Sequence, residues 1–371
     1  MNLPVISRRQ LLAAGLTTPL WPSQAQALAA QRLQFPRDLG SHPDFSIEWW
    51  YLTGYLQALA NAREFGFQLT FFRSRVAATQ GMRSNFAAKQ LLFAHAAVTD
   101  VVGHRLLHDQ RIARAGFEVA QANQNDTAIN LRDWSLMHNA TQYRAVAQSN
   151  SFRFELFIKE TQPLLLQGDQ GWSQKGPDEQ QASFYYSLPQ LNVSGTLAIE
   201  GHPMPVQGRA WLDHEWSQAL LHPQAVGWDW IGMNLFDGSA LTAFQLRDQV
   251  GNALWDGGSF RSPALGAAPQ VFDHSDVLFE PVRTWTSPLT HARYPVEWIV
   301  HIKPSNTSVG KASALPGFYR VKAVIDQQEQ DSRRSVGAVY WEGLSELFDP
   351  QGKLLGRGYL EMTGYAGALR L

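Results

Sequence analysis

The sequence of 371 residues contains no cysteine. This absence excludes disulfides, thiolate nucleophiles, cysteine-ligated zinc and iron–sulfur clusters. Charge is also scarce, because 31 Lys and Arg stand against 32 Asp and Glu and charged residues form only 17% of the chain. A near-neutral chain does not favour nucleic acid, whose backbone calls for a basic surface. Loops that cradle phosphates or dinucleotides are missing as well. We therefore predict no cofactor and no nucleic-acid partner.

Beyond the N-terminus the sequence has no long apolar run. No stretch there reaches the roughly 18 apolar residues that a membrane helix needs. The N-terminus differs, since Arg8 and Arg9 precede an apolar stretch and Ala25-Gln26-Ala27 matches a signal-peptidase site. This pattern resembles a twin-arginine (Tat) signal, with a Sec signal or a retained anchor as the alternatives. We predict that residues 1–27 are a cleaved signal peptide. The mature chain then has no transmembrane segment and works in the periplasm or outside the cell.

The residues that are abundant indicate an all-β fold. Aromatic residues make up 12% of the chain, including 13 Trp, which is typical of strand packing or of a pocket for an apolar ligand. Alternation with a period of two runs through 65–73, 151–159, 296–302 and 319–325. Asp237-Gly238 between two apolar runs predicts a hairpin. Many short strands predict sandwiches or barrels.

A cluster of turn residues suggests a domain boundary. Gly195, Gly201, Pro203 and Pro205 lie close together between predicted strands. Each side holds about 170 residues, which suits a barrel of eight to ten strands that encloses one small ligand. We predict two packed antiparallel β-barrel domains, at 28–198 and 199–371.

The most unusual stretch is Asp213-His214-Glu215, with Trp211 and Trp216 close on either side. On a strand, the two carboxylates share one face and lie roughly 7 Å apart, while His214 points to the other face. If the carboxylates face an interior, burial and mutual repulsion raise the pKa of one of them. We therefore take these three residues as candidate catalytic residues. The alternative is that one carboxylate bonds a buried arginine or backbone amides.

A metal site at this stretch has little support. A zincin motif needs a second histidine four residues after His214, where the sequence has Gln218. A set made of His214, Glu215 and His222 follows no known ligand spacing. We predict no metal ion.

Carboxylates beside aromatic residues recur elsewhere in the chain and predict a polar network within aromatic walls, because buried carboxylates need partners. No Gly-x-Ser-x-Gly motif is present, which gives nucleophilic catalysis little support. The candidate ligand-binding residues are Glu48, Trp50, Tyr186, Trp216, Asp229, Trp230, Trp341 and Glu342.

Five motifs in order resemble the AttH-like family, which is related to carotenoid 1,2-hydratases. They are Glu48-Trp49-Trp50-Tyr51-x-Thr53-Gly54, Phe184-Tyr185-Tyr186-Ser187, Trp211-Leu212-Asp213-His214-Glu215-Trp216, Gly227-Trp228-Asp229-Trp230 and Tyr359-Leu360-Glu361-x-Thr363-Gly364-Tyr365. The resemblance implies two lipocalin-like domains with a site in or between the barrels. It also implies a hydratase-like or secreted hydrolase-like activity, and an ABC transporter as a partner.

A hydratase must protonate an alkene, stabilise the cation with aromatic walls and activate water. The resemblance implies that the His-x-Trp motif of the hydratases corresponds to His214-Glu215-Trp216. The hydratases also carry Tyr and Asp on a later strand, and Leu241–Leu246 has neither. The sequence thus predicts an exported lipocalin-like protein that encloses a small apolar ligand, either as an acid–base enzyme or as a non-catalytic carrier.

Overall fold

The structure, a computed structural model, describes residues 32–219, 222–264, 266–303 and 315–368. The predicted signal peptide, residues 1–27, lies outside the described residues. Two antiparallel sheets dominate the fold, and the helical turns in the described residues are two short 3₁₀ helices, Arg37–Leu39 and Ala77–Thr79. Within these ranges no helix has both the length and the apolarity to cross a membrane. The predicted all-β class with two lipocalin-like barrels is confirmed.

The first sheet has 13 strands in the order β4-β3-β2-β1-β13-β12-β9-β8-β7-β6-β5, and β10 and β11 pair with β12. The strands are β1 (Ile47–Ala58), β2 (Glu64–Arg75), β3 (Gln90–Asp100), β4 (Arg105–Arg114), β5 (Ala120–Ala122), β6 (Ala128–Leu131), β7 (Trp134–Asn139), β8 (Gln142–Gln148), β9 (Phe152–Lys159), β10 (Leu165–Leu166), β11 (Trp172–Gln174), β12 (Ala182–Ile199) and β13 (His202–Ser217). This sheet forms the first barrel.

The second sheet has ten strands in the order β17-β16-β15-β14-β23-β22-β20-β19-β18, and β21 pairs with β22. The strands are β14 (Gly227–Leu235), β15 (Ala240–Arg247), β16 (Ala253–Arg261), β17 (Gln270–Phe272), β18 (Val277–Thr286), β19 (Arg293–Ile302), β20 (Phe318–Ala323), β21 (Glu329–Ser332), β22 (Ala338–Phe348) and β23 (Leu354–Met362). The predicted hairpin at Asp237-Gly238 joins β14 to β15, and Gly238 has φ +91° there. This sheet forms the second barrel.

Each sheet curls so that strands far apart in the sheet order meet through side chains. In the first barrel, Arg111 of β4 lies over the Trp134 ring of β7 and donates to the Gln148 carbonyl of β8 at 3.0 Å. In the second barrel, the Asp256 carboxylate of β16 accepts the backbone N–H of Val277 at the start of β18 at 3.0 Å. Each curled sheet encloses its own apolar core.

The outer faces of the two barrels pack against each other around a third, smaller core. Its buried members come from both sheets and include Tyr51, Trp211, Trp230, Phe244, Leu344 and Tyr359. A bulge in β12 turns Gln190 out of the strand, and its backbone N–H donates to the Asn234 side chain at 2.7 Å. Asn234 in turn donates to the Ala210 carbonyl at 3.0 Å. Both barrels therefore contribute side chains to the space between these faces.

The chain passes from the first sheet to the second between Ser217 and Gly227, about 20 residues beyond the boundary predicted at 198/199. The predicted boundary falls at the end of β12, just before the tight turn at 200–201 that leads into β13, and the two strands pair along their length there. Turn residues such as Gly201 suit a hairpin tip as well as a linker, which explains the difference.

Candidate functional site

Strand β13 presents different chemistry on its two faces. Asp213 and Glu215 face the second barrel, where they line a cavity. His214 faces the interior of the first barrel, where its ring stacks on Trp50 with centroids 4.5 Å apart. The structure therefore separates the three candidate catalytic residues, as the period of two requires. His214 does not meet the carboxylates, and a set of His214, Glu215 and His222 does not form.

The cavity has a volume of about 200 Å³ and lies between the two barrels. Its walls are mainly aromatic and aliphatic, and they also carry four carboxyl groups, one lysine and one histidine. The aromatic wall residues are Trp49, Tyr51, Phe72, Phe93, Tyr185, Trp228, Trp230, Phe244 and Tyr340, and these charged or basic groups are His95, Lys175, Asp213, Glu215, Glu342 and Glu361.

Asp213 sits in a shell of hydrogen-bond donors. Its Oδ1 accepts from Ser187 at 2.5 Å and from the Trp211 indole N–H at 2.7 Å, and its Oδ2 accepts from the Tyr185 hydroxyl at 2.8 Å. Burial raises the pKa of Asp213 to about 7, although the three donors act in the opposite direction. Tyr185 also accepts the Trp230 indole N–H at 3.2 Å. Asp213 is thus held rigidly, and it titrates near neutral pH.

Glu215 forms an ion pair with Lys175. The Lys175 ammonium lies 3.3 Å from Glu215 Oε1, which also accepts from Ser183 at 2.5 Å. Lys175 is buried as well, and it lies 4.1 Å from the centre of the Phe244 ring. The two side chains therefore form a buried ion pair on this wall of the cavity.

The opposite wall carries two more carboxyl groups side by side. Glu342 on β22 is the cross-strand partner of Glu361 on β23. Burial raises the pKa of Glu361 to about 8, and the negative charges of Asp213 and Glu215 add to this effect. Burial and the neighbouring Glu361 raise the pKa of Glu342 well above its usual range. Near neutral pH this wall therefore holds protonated carboxylic acids.

Glu48 belongs to a separate network inside the first barrel. Its carboxylate accepts from Arg73 at 2.7 Å, from His42 Nδ1 at 2.8 Å and from His214 Nε2 at 3.0 Å. The Tyr186 hydroxyl lies 3.0 Å from His214 Nδ1, so His214 fits a neutral tautomer that donates to Glu48. Burial lowers the pKa of His214 to about 4. The hydrogen bonds to both histidines hold the pKa of Glu48 far below its usual range, against the effect of burial.

Three residues of this network have the composition of a metal site. One ligand-type atom from each of His42, Glu48 and His214 lies within 4.8 Å of the other two. The Arg73 guanidinium already occupies the second Glu48 oxygen, and its positive charge disfavours a cation at the same place. The trio therefore fits a hydrogen-bonded support for the barrel interior.

The second barrel contains a further network of the same kind. Asp229 Oδ2 pairs with Arg247 at 2.7 Å and accepts from Gln245 at 2.7 Å, while the Tyr365 hydroxyl donates to Oδ1 at 3.0 Å. Trp341 is fully buried in the core of the second barrel. Neither Asp229 nor Trp341 lines the cavity.

The predicted site residues thus divide among three places. The cavity between the barrels receives Asp213, Glu215, Trp230 and Glu342; the interior of the first barrel receives Glu48, Trp50, Tyr186, His214 and Trp216; the interior of the second receives Asp229 and Trp341.

Sequence reasoning missed Lys175, Tyr185 and Glu361 as cavity residues. Glu361 and Tyr185 belong to the motifs that carry the family resemblance. Alternation along β12 points Tyr185 and Tyr186 to opposite faces of the sheet. Lys175 directly follows β11, and no local sequence pattern marks it as a partner of Glu215.

Two lipocalin-like barrels with an acid-lined cavity between them define the class of this protein. Residues 26–365 match the AttH-like family. The chain belongs to that family.

Solved structures agree with this assignment. The crystal structure of a Nitrosomonas europaea protein named as an AttH is 42% identical, covers 91% of this chain and 99% of its own, and superposes with a TM-score of 0.80. Kievitone hydratase from Nectria haematococca is 13% identical, with 91% and 94% coverage and a TM-score of 0.65. CghA is 10% identical, with 91% and 95% coverage and a TM-score of 0.53. The last two similarities concern the fold alone. No curated protein sequence gives a significant match.

Proposed function

We propose that the protein binds a small apolar, unsaturated molecule between its barrels and adds water to it by acid–base catalysis. The observation that carries this proposal is the pair of protonated carboxylic acids, Glu342 and Glu361, in an aromatic cavity. An acid that keeps its proton near neutral pH can donate it to a substrate that water alone protonates too slowly.

The two walls of the cavity divide the proton transfers. Glu361 donates its proton to one alkene carbon, which breaks the π bond and leaves a cation on the other carbon. The faces of Trp228, Trp230 and Phe244 stabilise this cation. Water attacks the cation and forms the C–O bond, and its proton passes to Glu215. Exchange with solvent returns the proton to Glu361, so the net reaction is the addition of one water.

Asp213 and His214 take different roles in this proposal. Asp213 lies beside Glu215 on the β13 wall and positions Tyr185 through its hydrogen bond of 2.8 Å. His214 supports the first barrel through Glu48 and does not contact the ligand. The catalytic assignment therefore keeps Glu215, gives Asp213 a positioning role, removes His214 and adds Glu361.

A neighbour of the same fold is a hydratase by name, which agrees with the proposal without carrying it. Export through a Tat-type signal and association with an envelope ABC transporter remain predictions from the sequence. Export is tested by sequencing the N-terminus of the protein recovered from the periplasm, which should begin at residue 28.

The test is incubation of the purified chain with an isoprenoid and lipid extract in oxygen-18 water, followed by mass spectrometry of the soluble and bound molecules. We expect one compound to gain the mass of a labelled water. Glu361→Gln removes the acid without changing its size and lowers kcat roughly a hundredfold or more. Glu179→Gln, at an exposed position, is the matched control and keeps full activity. Recovery of a bound but unaltered compound from the wild-type chain identifies a carrier and refutes catalysis.

A further inference from the structure

An apolar track leads from the cavity across the first sheet to its edge. In the β1–β2–β3–β4 ladder, Trp49, Phe72, Phe93 and Ile112 are successive cross-strand neighbours. Residues directly opposite each other in an antiparallel ladder point to the same face. Trp49, Phe72 and Phe93 line the cavity, and Ile112 at the edge is 39% exposed. The same face of the sheet is therefore apolar from the cavity to the solvent.

A second row of the same ladder ends at a cation. Ile47, Ser74, Leu91 and Arg114 are cross-strand neighbours, two residues further along each strand. Ile47 and Ser74 line the cavity. The track thus ends at Ile112 and Arg114, side by side on β4.

Two exposed phenylalanines flank this end of the track. Phe86 is 73% exposed and Phe117 is 55% exposed, and their rings stack with centroids 5.6 Å apart. The Arg114 guanidinium lies over both rings, 5.5 Å from the centre of Phe86 and 4.1 Å from that of Phe117. It also donates to the Phe86 carbonyl at 2.9 Å. We call Phe86, Ile112, Arg114 and Phe117 the rim patch.

The charge around the rim patch is positive. The sequence has no Asp or Glu between Glu64 and Asp100. The loop between β2 and β3, which carries Phe86, also carries the exposed Arg83 and Lys89. Glu118 is the acidic residue next to Phe117. Exposed aromatic rings with several cations suit the interface of an anionic bilayer, where the rings enter the headgroup region and the cations bind phosphate.

We propose that the rim patch docks the protein on a membrane that contains anionic phospholipid, so that an apolar ligand passes along the track into the cavity. The passage of ligand rests on the proposed function, whereas the docking does not. The match between the positive loop and anionic headgroups, and the continuity of the track with the cavity, favour a lipid surface over a protein partner.

The test is cosedimentation of the mature chain with vesicles. We expect binding to an equal mixture of phosphatidylcholine and phosphatidylglycerol, weaker binding to phosphatidylcholine alone, and a loss of binding at high salt. Arg114→Gln lowers the partition about fivefold, which is the contribution of one cation near such a surface. The double variant F86S/F117S lowers it at least tenfold because it removes two large apolar side chains. Phe236→Ser, at a residue that is 57% exposed in the β14–β15 hairpin, is the matched control and binds as the wild type does.

A second measurement uses the absence of cysteine, because one introduced thiol can be labelled selectively. An environment-sensitive dye on Met82→Cys, in the β2–β3 loop, should shift to the blue with the anionic vesicles. Val250 is 81% exposed, and the fluorescence of the same dye on Val250→Cys should not shift. Equal vesicle binding by F86S/F117S and the wild type, or no vesicle binding by the wild type, overturns the docking. Hydration of a ligand in vesicle-free solution is unaffected by that outcome, so the two proposals fail separately.

Discussion

Replacing Asp213 by asparagine should change how the stability of the protein depends on pH. Asp213 is 3% exposed, and burial raises its pKa to about 7 from an ordinary value of 3.8. Asparagine has nearly the same shape but does not titrate. One of the three hydrogen bonds to the carboxylate is lost, at a cost of about 1 kcal/mol that does not depend on pH. The remaining difference between the two proteins reports the proton on Asp213.

The sign follows from the protons bound in each state. Between pH 3.8 and about 7 the folded protein keeps the Asp213 proton, whereas the unfolded chain has released it. The contribution of Asp213 to the free energy of unfolding is therefore fully present below the unfolded pKa and falls by about 1.4 kcal/mol per pH unit as pH rises. It is lost once pH passes the folded pKa. The whole interval, from 3.8 to about 7, corresponds to about 4 kcal/mol.

The assay is urea unfolding of both proteins, followed by the fluorescence of the 13 tryptophans. Between about pH 5 and pH 8 the free energy of unfolding of the wild type should fall by about 3 kcal/mol relative to that of Asp213→Asn. The exposed Glu179→Gln should follow the wild type at every pH. A difference between wild type and Asp213→Asn that stays constant over this range would show that Asp213 is ionised throughout, and would refute the reasoning.

The remaining predictions concern the networks inside the barrels and the wall of the cavity. Arg73→Met leaves Glu48 as a buried charge without its cation, and should lower the free energy of unfolding by about 3–5 kcal/mol. Urea unfolding measures this loss, and Arg153→Met at an exposed position is the control. An equal loss in the two variants would contradict the prediction. Trp341→Phe removes the hydrogen bond of 2.7 Å that the indole N–H donates to the Asp326 carbonyl. It should cost about 1–3 kcal/mol, with no change in ligand affinity by fluorescence titration. Trp230→Ala should weaken ligand binding about tenfold or more, because it removes an aromatic wall of the cavity. Equal ligand affinities for these two tryptophan variants would contradict the cavity as the binding site.

The period of two along β13 predicted the most important feature of the site. It places the Asp213 and Glu215 carboxylates on one face and His214 on the other, and the structure has this arrangement. Alternation is a local property of extended backbone, so it can be read from a single stretch. The sequence did not reveal what each face meets, since that depends on strands far away along the chain. Tyr185, Ser187 and Glu361 reach Asp213 or its cavity only through the pairing of β12 and the packing of the second barrel.

The domain boundary differs for a related reason. Glycine and proline mark a reversal of the chain, and a reversal occurs both in a linker and at the tip of a hairpin. The segment 218–226, where the chain changes sheets, contains one proline and no glycine before Gly227. Its composition therefore resembles an ordinary loop, while the stronger turn signal at Gly201 belongs to a hairpin inside the first barrel.

Carboxylates beside tryptophan look alike in the sequence but have opposite roles in the structure, and their cross-strand neighbours decide between these roles. Glu48 lies directly opposite Arg73 on β2, so its charge is neutralised and its function is support. Glu342 lies opposite Glu361, so both carboxyls keep their protons and can act as acids. Exchanging these neighbours should exchange the properties: an arginine at 361 would ionise Glu342 and abolish acid catalysis. The reactivity of each carboxyl therefore resides in the register of the sheet.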